Sequence, residues 1–211
     1  MPRPSPVERI REAGKAGLER LLGPLVRALA RSPVTPNQVT AACLLLTLAA
    51  AGALAAGHLA TAGALFLVGS AFDLLDGTLA RASGRTTPFG AFLDSTLDRL
   101  GEGALLAAAA YRFALEGQAL AVAVVALGLL GALLTSYTRA RAEGLGLACT
   151  VGWLSRPERV GLLGIGLLFN VLAEAVFLLA VLSLWTVGQR ILHVRRQTGG
   201  GPPDLPSSRD A

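Results

Sequence analysis

Residues 59–113 read LATAGALFLVGSAFDLLDGTLARASGRTTPFGAFLDSTLDRLGEGALLAAAAYRF. Two apolar segments, 59–80 and 89–113, are long enough for membrane helices, yet between them they carry Asp73, Asp76, Asp94 and Asp98. A bare carboxylate in a bilayer costs several kcal/mol on insertion scales, so acids placed there point to function. Asp73 and Asp76 are spaced i, i+3 and Asp94 and Asp98 are spaced i, i+4, so each pair shares one helix face. If the two faces meet, four anionic side chains converge. Clustered carboxylates stay ionised only with compensating cations. Hard divalent ions with oxygen ligands, two Mg²⁺ or Mn²⁺ in their place, are the natural counterions. Two such ions roughly 3.5–4 Å apart form a clamp for phosphoryl transfer. The competing readings of the acids alone are ion pairs with Arg81, Arg85 and Arg99, or the path of a cation transporter. Gly77 and Ala80 let a ligand approach the backbone, although Gly77 also fits a helix-packing glycine. Arg81 offers a guanidinium fork suited to a pyrophosphate.

Outward from this stretch, the 211 residues are 53% hydrophobic and 16% charged, too apolar for a soluble core. Six segments qualify as spans, near 39–57, 59–80, 89–113, 117–139, 158–175 and 176–194. The last two are separated by Ala173, Glu174 and Ala175, where a tight turn is expected. Lys and Arg near span ends set orientation. With six spans, one side receives the N-terminal cations, Arg81, Arg85, Arg139, Arg141, Arg156, Arg159, Arg190, Arg195, Arg196 and Arg209, and the other receives Arg112 alone. Both termini are therefore expected in the cytoplasm, with the protein multi-pass in the cell membrane.

Ahead of the first span, Ile10, Leu18, Leu21, Leu22, Leu25, Val26 and Leu29 recur at helical spacing opposite charged residues, with a break at Gly23-Pro24. This reads as an interfacial amphipathic helix on the anionic inner leaflet, the alternative being a helix packed on the protein itself. Thr35 or Ser32 is suited to cap the first span, with Pro36 in its first turn. The fold class is an all-α membrane protein: residues 1–38 a juxtamembrane amphipathic segment, 39–196 a six-helix domain, 197–211 a disordered tail. Cys43 and Cys149 read as unpaired thiols. No cleavable signal peptide is visible, and no nucleic-acid partner is expected.

Asp73-x-x-Asp76-Gly77-x-x-Ala80-Arg81, eight residues, then Gly90-x-x-x-Asp94-x-x-x-Asp98 resembles the complete signature of the CDP-alcohol phosphotransferases. The resemblance covers roughly residues 30–196. It implies a six-helix fold, usually homodimeric, with a cytosol-facing cavity. By the same resemblance Asp73, Asp76, Asp94 and Asp98 are metal ligands, and Asp98 is also the general base. Gly77, Arg81 and the stretch Asn37, Gln38, Val39, Thr40 would contact the CDP-lipid, and Thr87 would reach the nucleotide.

A second block, Ser136-Tyr137-Thr138-Arg139-Ala140-Arg141-Ala142-Glu143 with Arg156-Pro157-Glu158-Arg159, is similar to the phosphatidylinositol-phosphate synthase branch. Arg139 replaces a lysine usual there, which keeps the charge and alters its geometry. The branch implies CDP-diacylglycerol as donor and inositol phosphate as acceptor, the acceptor phosphate being held by Arg139, Arg156, Arg159 and Arg195. Glycerol 3-phosphate or another small alcohol is the alternative acceptor. Positive-inside topology alone also accounts for many of these arginines, and Arg156-Pro157-Glu158 also reads as a simple helix start.

Overall fold

The computed structural model describes residues 35–83 and 86–199, with Gly23 as an isolated position; over 74–83 it describes the helical backbone only. Among the described residues there are six helices and no strand: α1 (Pro36–Ala55), α2 (Leu59–Ser83), α3 (Pro88–Leu115), α4 (Ala119–Glu143), α5 (Arg156–Leu168) and α6 (Leu172–Thr198). The amphipathic segment ahead of α1, and Ser32 with it, lies outside the described residues.

Local chemistry sets the helix starts. The Thr35 backbone N–H donates to Gln38 Oε1 at 2.9 Å and the Gln38 N–H donates to Thr35 Oγ1 at 3.3 Å, a reciprocal cap with Pro36 at the first helical position. Thr87 caps α3 by accepting from the Gly90 N–H at 3.0 Å. Ser155 precedes α5, its N–H donating to Glu158 Oε2 at 2.9 Å, with Pro157 in the first turn.

Helices α1, α4 and α6 are long and apolar enough to cross a bilayer, and α2 opens with a shorter apolar stretch, Leu59–Asp73. Leu45, Leu120, Phe177 and Trp185 on these helices are each more than half exposed. An apolar exterior of this kind is a liability in water and is solvated by lipid tails. The chain is an integral membrane protein.

Two compact units divide the described residues: 35–49 with Leu65–Ala104, and Ala50–Ala64 with 105–199. In the first, small residues bring α2 and α3 against α1. A Cβ at Gly69 would lie 3.3 Å from Leu46 Cβ, and one at Gly101 would lie 3.0 Å from Thr47 Cγ2. Thr47 hides its hydroxyl by donating to the Cys43 carbonyl at 3.0 Å. Val39 and Cys43 are buried, and Phe72 packs on them. In the second unit α4 and α5 both pack on α6. Thr135 Oγ1 donates across to the Ser183 carbonyl at 3.3 Å, and Gly131 sits where a Cβ would lie 2.8 Å from Ser183 Cβ. Cys43 and Cys149 are free and buried.

Two boundaries differ from expectation. The final turn is at residues 169–171, and Ala173, Glu174 and Ala175 lie inside α6. Asn170 takes φ +58, a left-handed conformation that asparagine tolerates, and the Val171 N–H closes onto the Gly166 carbonyl at 2.8 Å. Glu174, in the first turn of α6, meets the positive end of the helix dipole. This leaves α5 with 13 residues, about 20 Å at 1.5 Å per residue, short of a roughly 30 Å hydrocarbon core. At the other end α6 continues through Gln197 and Thr198, because the Thr198 hydroxyl back-bonds to the Val194 carbonyl at 3.1 Å and Gln197 Nε2 donates to the Ala148 carbonyl at 2.8 Å.

Two glycine-to-alanine changes separate helix propensity from packing. Alanine gains roughly 0.5–1 kcal/mol over glycine inside a helix, and nothing lies within 4 Å of a Cβ at Gly188. Gly188→Ala should raise the thermal midpoint in detergent. Gly131→Ala should lower it, since overpacking costs about 1–3 kcal/mol. Equal increases in both variants would show that α4 and α6 are not closely packed at Gly131.

Candidate active site

Asp73, Asp94 and Asp98 come together in the first unit. Asp73 on α2 and Asp94 and Asp98 on α3 place one carboxylate oxygen each within 4.8 Å of one another, all three half-buried. Asp73 Oδ1 and Asp94 Oδ1 are shut off from solvent and have no hydrogen-bond partner, although both residues have other interactions. Oxygen donors converging at this distance fit a hard divalent cation, whose charge offsets their mutual repulsion. Asp76 follows Asp73 by one turn of α2, and Gly77 and Arg81 continue the same helix; their side-chain surroundings lie outside the described residues. Arg99, a cation weighed as a structural partner for the acids, donates to the Ser95 carbonyl of its own helix.

At the start of α1 the expected nucleotide residues separate by environment. Asn37 is half-buried and Gln38 is exposed, its side chain engaged in the cap. Val39 and Thr40 are 8% and 5% exposed, and Thr40 Oγ1 donates to the Pro36 carbonyl at 3.1 Å. Asn37 and Gln38 therefore carry the polar surface here, and Val39 and Thr40 hold the helix in place. Gly90 joins this group. A Cβ there would lie 3.0 Å from Thr87 Oγ1 and 3.2 Å from Asn37 Oδ1. The glycine of the signature thus lets α1 and the cap of α3 bring Asn37 and Thr87 together.

The arginines belong to the second unit. Arg159 is 2% exposed and Arg156 is half-buried, both in the first turn of α5. Arg139 is exposed and pairs through Nε with Glu143 Oε1 at 2.8 Å, and Arg195 is exposed near the end of α6. Arg190, one of the cations that the positive-inside pattern assigns to the cytoplasmic side, is only 3% exposed. Its Nε donates to the Val151 carbonyl at 3.0 Å and its Nη1 to the Thr135 carbonyl. Arg139 and Arg159 both lie within electrostatic reach of it. The available signal was its position inside the apolar run 176–194, where an arginine needs internal partners.

The chain is similar to known proteins over most of its length. The model of the CDP-alcohol phosphatidyltransferase family matches residues 33–189. An archaetidylinositol phosphate synthase of Pyrococcus horikoshii is 37% identical over 90% of this chain and 97% of its own. The crystal structure of Mycobacterium tuberculosis phosphatidylinositol phosphate synthase with CDP-DAG bound superposes with a TM-score of 0.78 at 32% identity, covering 83% of this chain and 94% of that one. The structure of the same enzyme in complex with manganese and citrate gives 0.75 at 32% identity, covering 81% and 87%. The chain therefore belongs to the CDP-alcohol phosphatidyltransferase family.

Proposed function

We propose that this enzyme transfers a phosphatidyl group from CDP-diacylglycerol to inositol phosphate, giving phosphatidylinositol phosphate and CMP. The observation that carries the reading is the meeting of the Asp73, Asp94 and Asp98 oxygens within 4.8 Å on helices bearing the family signature. Asp73, Asp76, Asp94 and Asp98 would hold two divalent ions, Mg²⁺ or Mn²⁺. Such ions supply fixed positive charge for the pyrophosphate of the donor. Asn37, Gln38, Gly77, Arg81 and Thr87 bind the CDP moiety, with Val39 and Thr40 fixing the start of α1 beneath it. Asp98 takes the proton of the acceptor hydroxyl. The new P–O bond then forms in line with the breaking bond to CMP. Catalysis on this view is mostly positioning and electrostatics.

Arg139, Arg156, Arg159 and Arg195 hold the acceptor phosphate. Their charge favours an anionic acceptor over a neutral alcohol, and the names of the relatives from Pyrococcus and Mycobacterium favour inositol phosphate over glycerol 3-phosphate. The domain runs over 39–196 with six membrane passages, the short α5 being accommodated by local thinning of the bilayer. The interfacial helix and both termini lie on the cytoplasmic side with the active site, and the protein works as a homodimer.

CMP release from CDP-diacylglycerol tests the reaction directly. Inositol phosphate should support release and glycerol 3-phosphate should not; the opposite preference would move the enzyme to another branch, and release with neither would leave a transporter reading. Excess EDTA should abolish turnover and Mg²⁺ or Mn²⁺ should restore it. Independently of activity, Asp94→Asn should weaken Mn²⁺ binding, followed by electron paramagnetic resonance, by at least about tenfold, or 1.4 kcal/mol; unchanged binding would remove the carboxylates from the metal site. Asp98→Asn should stop turnover while CDP-lipid still binds.

Arg156→Ala or Arg159→Ala removes charge-assisted bonds worth roughly 1.5–3 kcal/mol each. Each should raise the KM for inositol phosphate at least about tenfold and leave that for CDP-lipid unchanged. Loss of both affinities together would make the arginines structural. For orientation, a cysteine replacing exposed Asn170 should react from outside the cell and one replacing exposed Leu145 only from the cytoplasm, in a background lacking Cys43 and Cys149. Labelling of both from one side would refute the topology.

A further inference from the structure

Helix α5 is shorter than the bilayer it is read to cross. Its 13 residues rise about 20 Å, against roughly 30 Å of hydrocarbon. The segment 144–155 that leads into it is irregular, and Gly144, Leu145, Gly146, Ala148 and Thr150 are exposed. Irregular backbone does not stand against lipid tails, because its N–H and C=O groups find no partners there. The hydrocarbon therefore ends close to the start of α5. Trp153 and Trp185 mark the same level. Trp153 stands just ahead of Ser155, the cap of α5, and its N–H donates to Gln189 Oε1 at 3.3 Å. The next N–H, that of Leu154, donates to Thr186 Oγ1 at 3.1 Å, so this end of the segment is fastened beside Trp185 on α6. The two indoles lie 6.5 Å apart between ring centroids, with their planes tilted by 57°. Both side chains are more than half exposed.

Measured along α6, Trp185 comes about 20 Å after Leu172, the same rise as the whole of α5. On the face of α6 that carries it, Leu178 and Val181 come before, and Gln189, Leu192 and Arg196 come after. That face changes from apolar to mixed at the tryptophan. An indole joins a large apolar body to one N–H donor, the combination enriched where lipid tails give way to headgroups. Resting on the reading of α5 as a membrane passage, we propose that the Trp153–Trp185 pair is a lipid-binding anchor. Its partner is the glycerol and headgroup layer of the cytoplasmic leaflet. The pair holds that layer about 10 Å deeper against α5 and α6 than an undisturbed bilayer would place it. Helix α4, in the same unit, has 25 residues and meets no such shortfall, so the thinning belongs to the α5–α6 side.

The sequence contains two tryptophans, and these are they. Intrinsic fluorescence thus reads the pair alone and needs no substitution. In phosphatidylcholine proteoliposomes, bromines near the glycerol end of the acyl chains should quench it at least about twofold more than bromines near the chain middle. Stronger quenching from the chain middle would place the indoles in undisturbed hydrocarbon and overturn the anchor. Quenching by aqueous acrylamide with none by brominated lipid would place them in a water-filled cavity. Quenching by neither would place them beneath a second copy of the chain, and both outcomes overturn the anchor equally. Trp153→Phe and Trp185→Phe each leave one indole, and both survivors should keep the shallow pattern; a deep pattern from either would overturn the pairing. The cysteine labels at positions 145 and 170 test the passage separately. Reaction of both labels from one side would fail α5 as a passage and the thinning with it. Labelling from opposite sides with deep quenching would fail the anchor alone.

Discussion

Mutual repulsion among carboxylates is the constraint on which the first unit depends. Asp73, Asp94 and Asp98 bring oxygens within 4.8 Å of one another. At an effective dielectric of about 20, each ionised pair at that distance repels by about 3–4 kcal/mol, an order-of-magnitude figure. Something must hold α2 and α3 together against it. The packing devices lie next to the acids. Gly69 precedes Asp73 by four residues and Gly101 follows Asp98 by three, and both close on Thr47 of α1. Small residues at both contacts give dispersion its shortest range where the acids push hardest. A divalent cation turns the same repulsion into coordination. Because it binds the assembled unit and not the separated helices, it stabilises that unit by mass action.

The second unit solves a different problem, that of holding cations in a low-dielectric setting. Arg159 and Arg190 are both nearly inaccessible. A buried guanidinium must satisfy its donors or lose several kcal/mol. Two Arg190 nitrogens donate to carbonyls from two elements, which turns part of the burial cost into a structural tie. The loop before α5 lacks periodic hydrogen bonding and could not hold a shape without such partners.

These differences mark what the sequence made legible. The i, i+3 and i, i+4 acid spacings predicted a shared face because helix geometry is local, and Asp73, Asp94 and Asp98 do meet. The helix starts at Thr35 and at Arg156-Pro157-Glu158 were equally local, each with a proline in its first turn, whereas Thr87 was read only as a nucleotide contact and caps α3 as well. The last turn was not legible. Hydropathy runs without a break through 158–194, and the interruption depends on a single positive φ at Asn170 that composition does not encode. Glu174 misled for the same reason, since a charge in an apolar run marks a turn or a helix start equally well. Arg190 was legible only as a cation inside an apolar run, not by its partners. Its burial depends on Val151, far away in sequence and in a loop with no pattern, so it looked like any cation at a span end.

The four arginines proposed to hold the acceptor differ in burial, and burial sorts them. Arg139 is held by Glu143 in an i, i+4 pair with both side chains half exposed. Such pairs contribute roughly 0.3–0.5 kcal/mol. A phosphate dianion, with more charge and more acceptor oxygens than one carboxylate, exchanges for Glu143 at little cost. Arg159 sits nearly sealed in the first turn of α5, where moving the side chain would repack the core around it. Under the proposed acceptor role, Arg159 is therefore the preorganised donor that needs no reorganisation on binding, and Arg139 is the one that swings. Preorganised donors carry most of the affinity because their ordering entropy is already spent in folding. The lysine usual in related sequences at position 139 is tolerable on the same physics. A swinging cation needs charge and reach, which both side chains have, whereas the fixed fork matters at the buried positions.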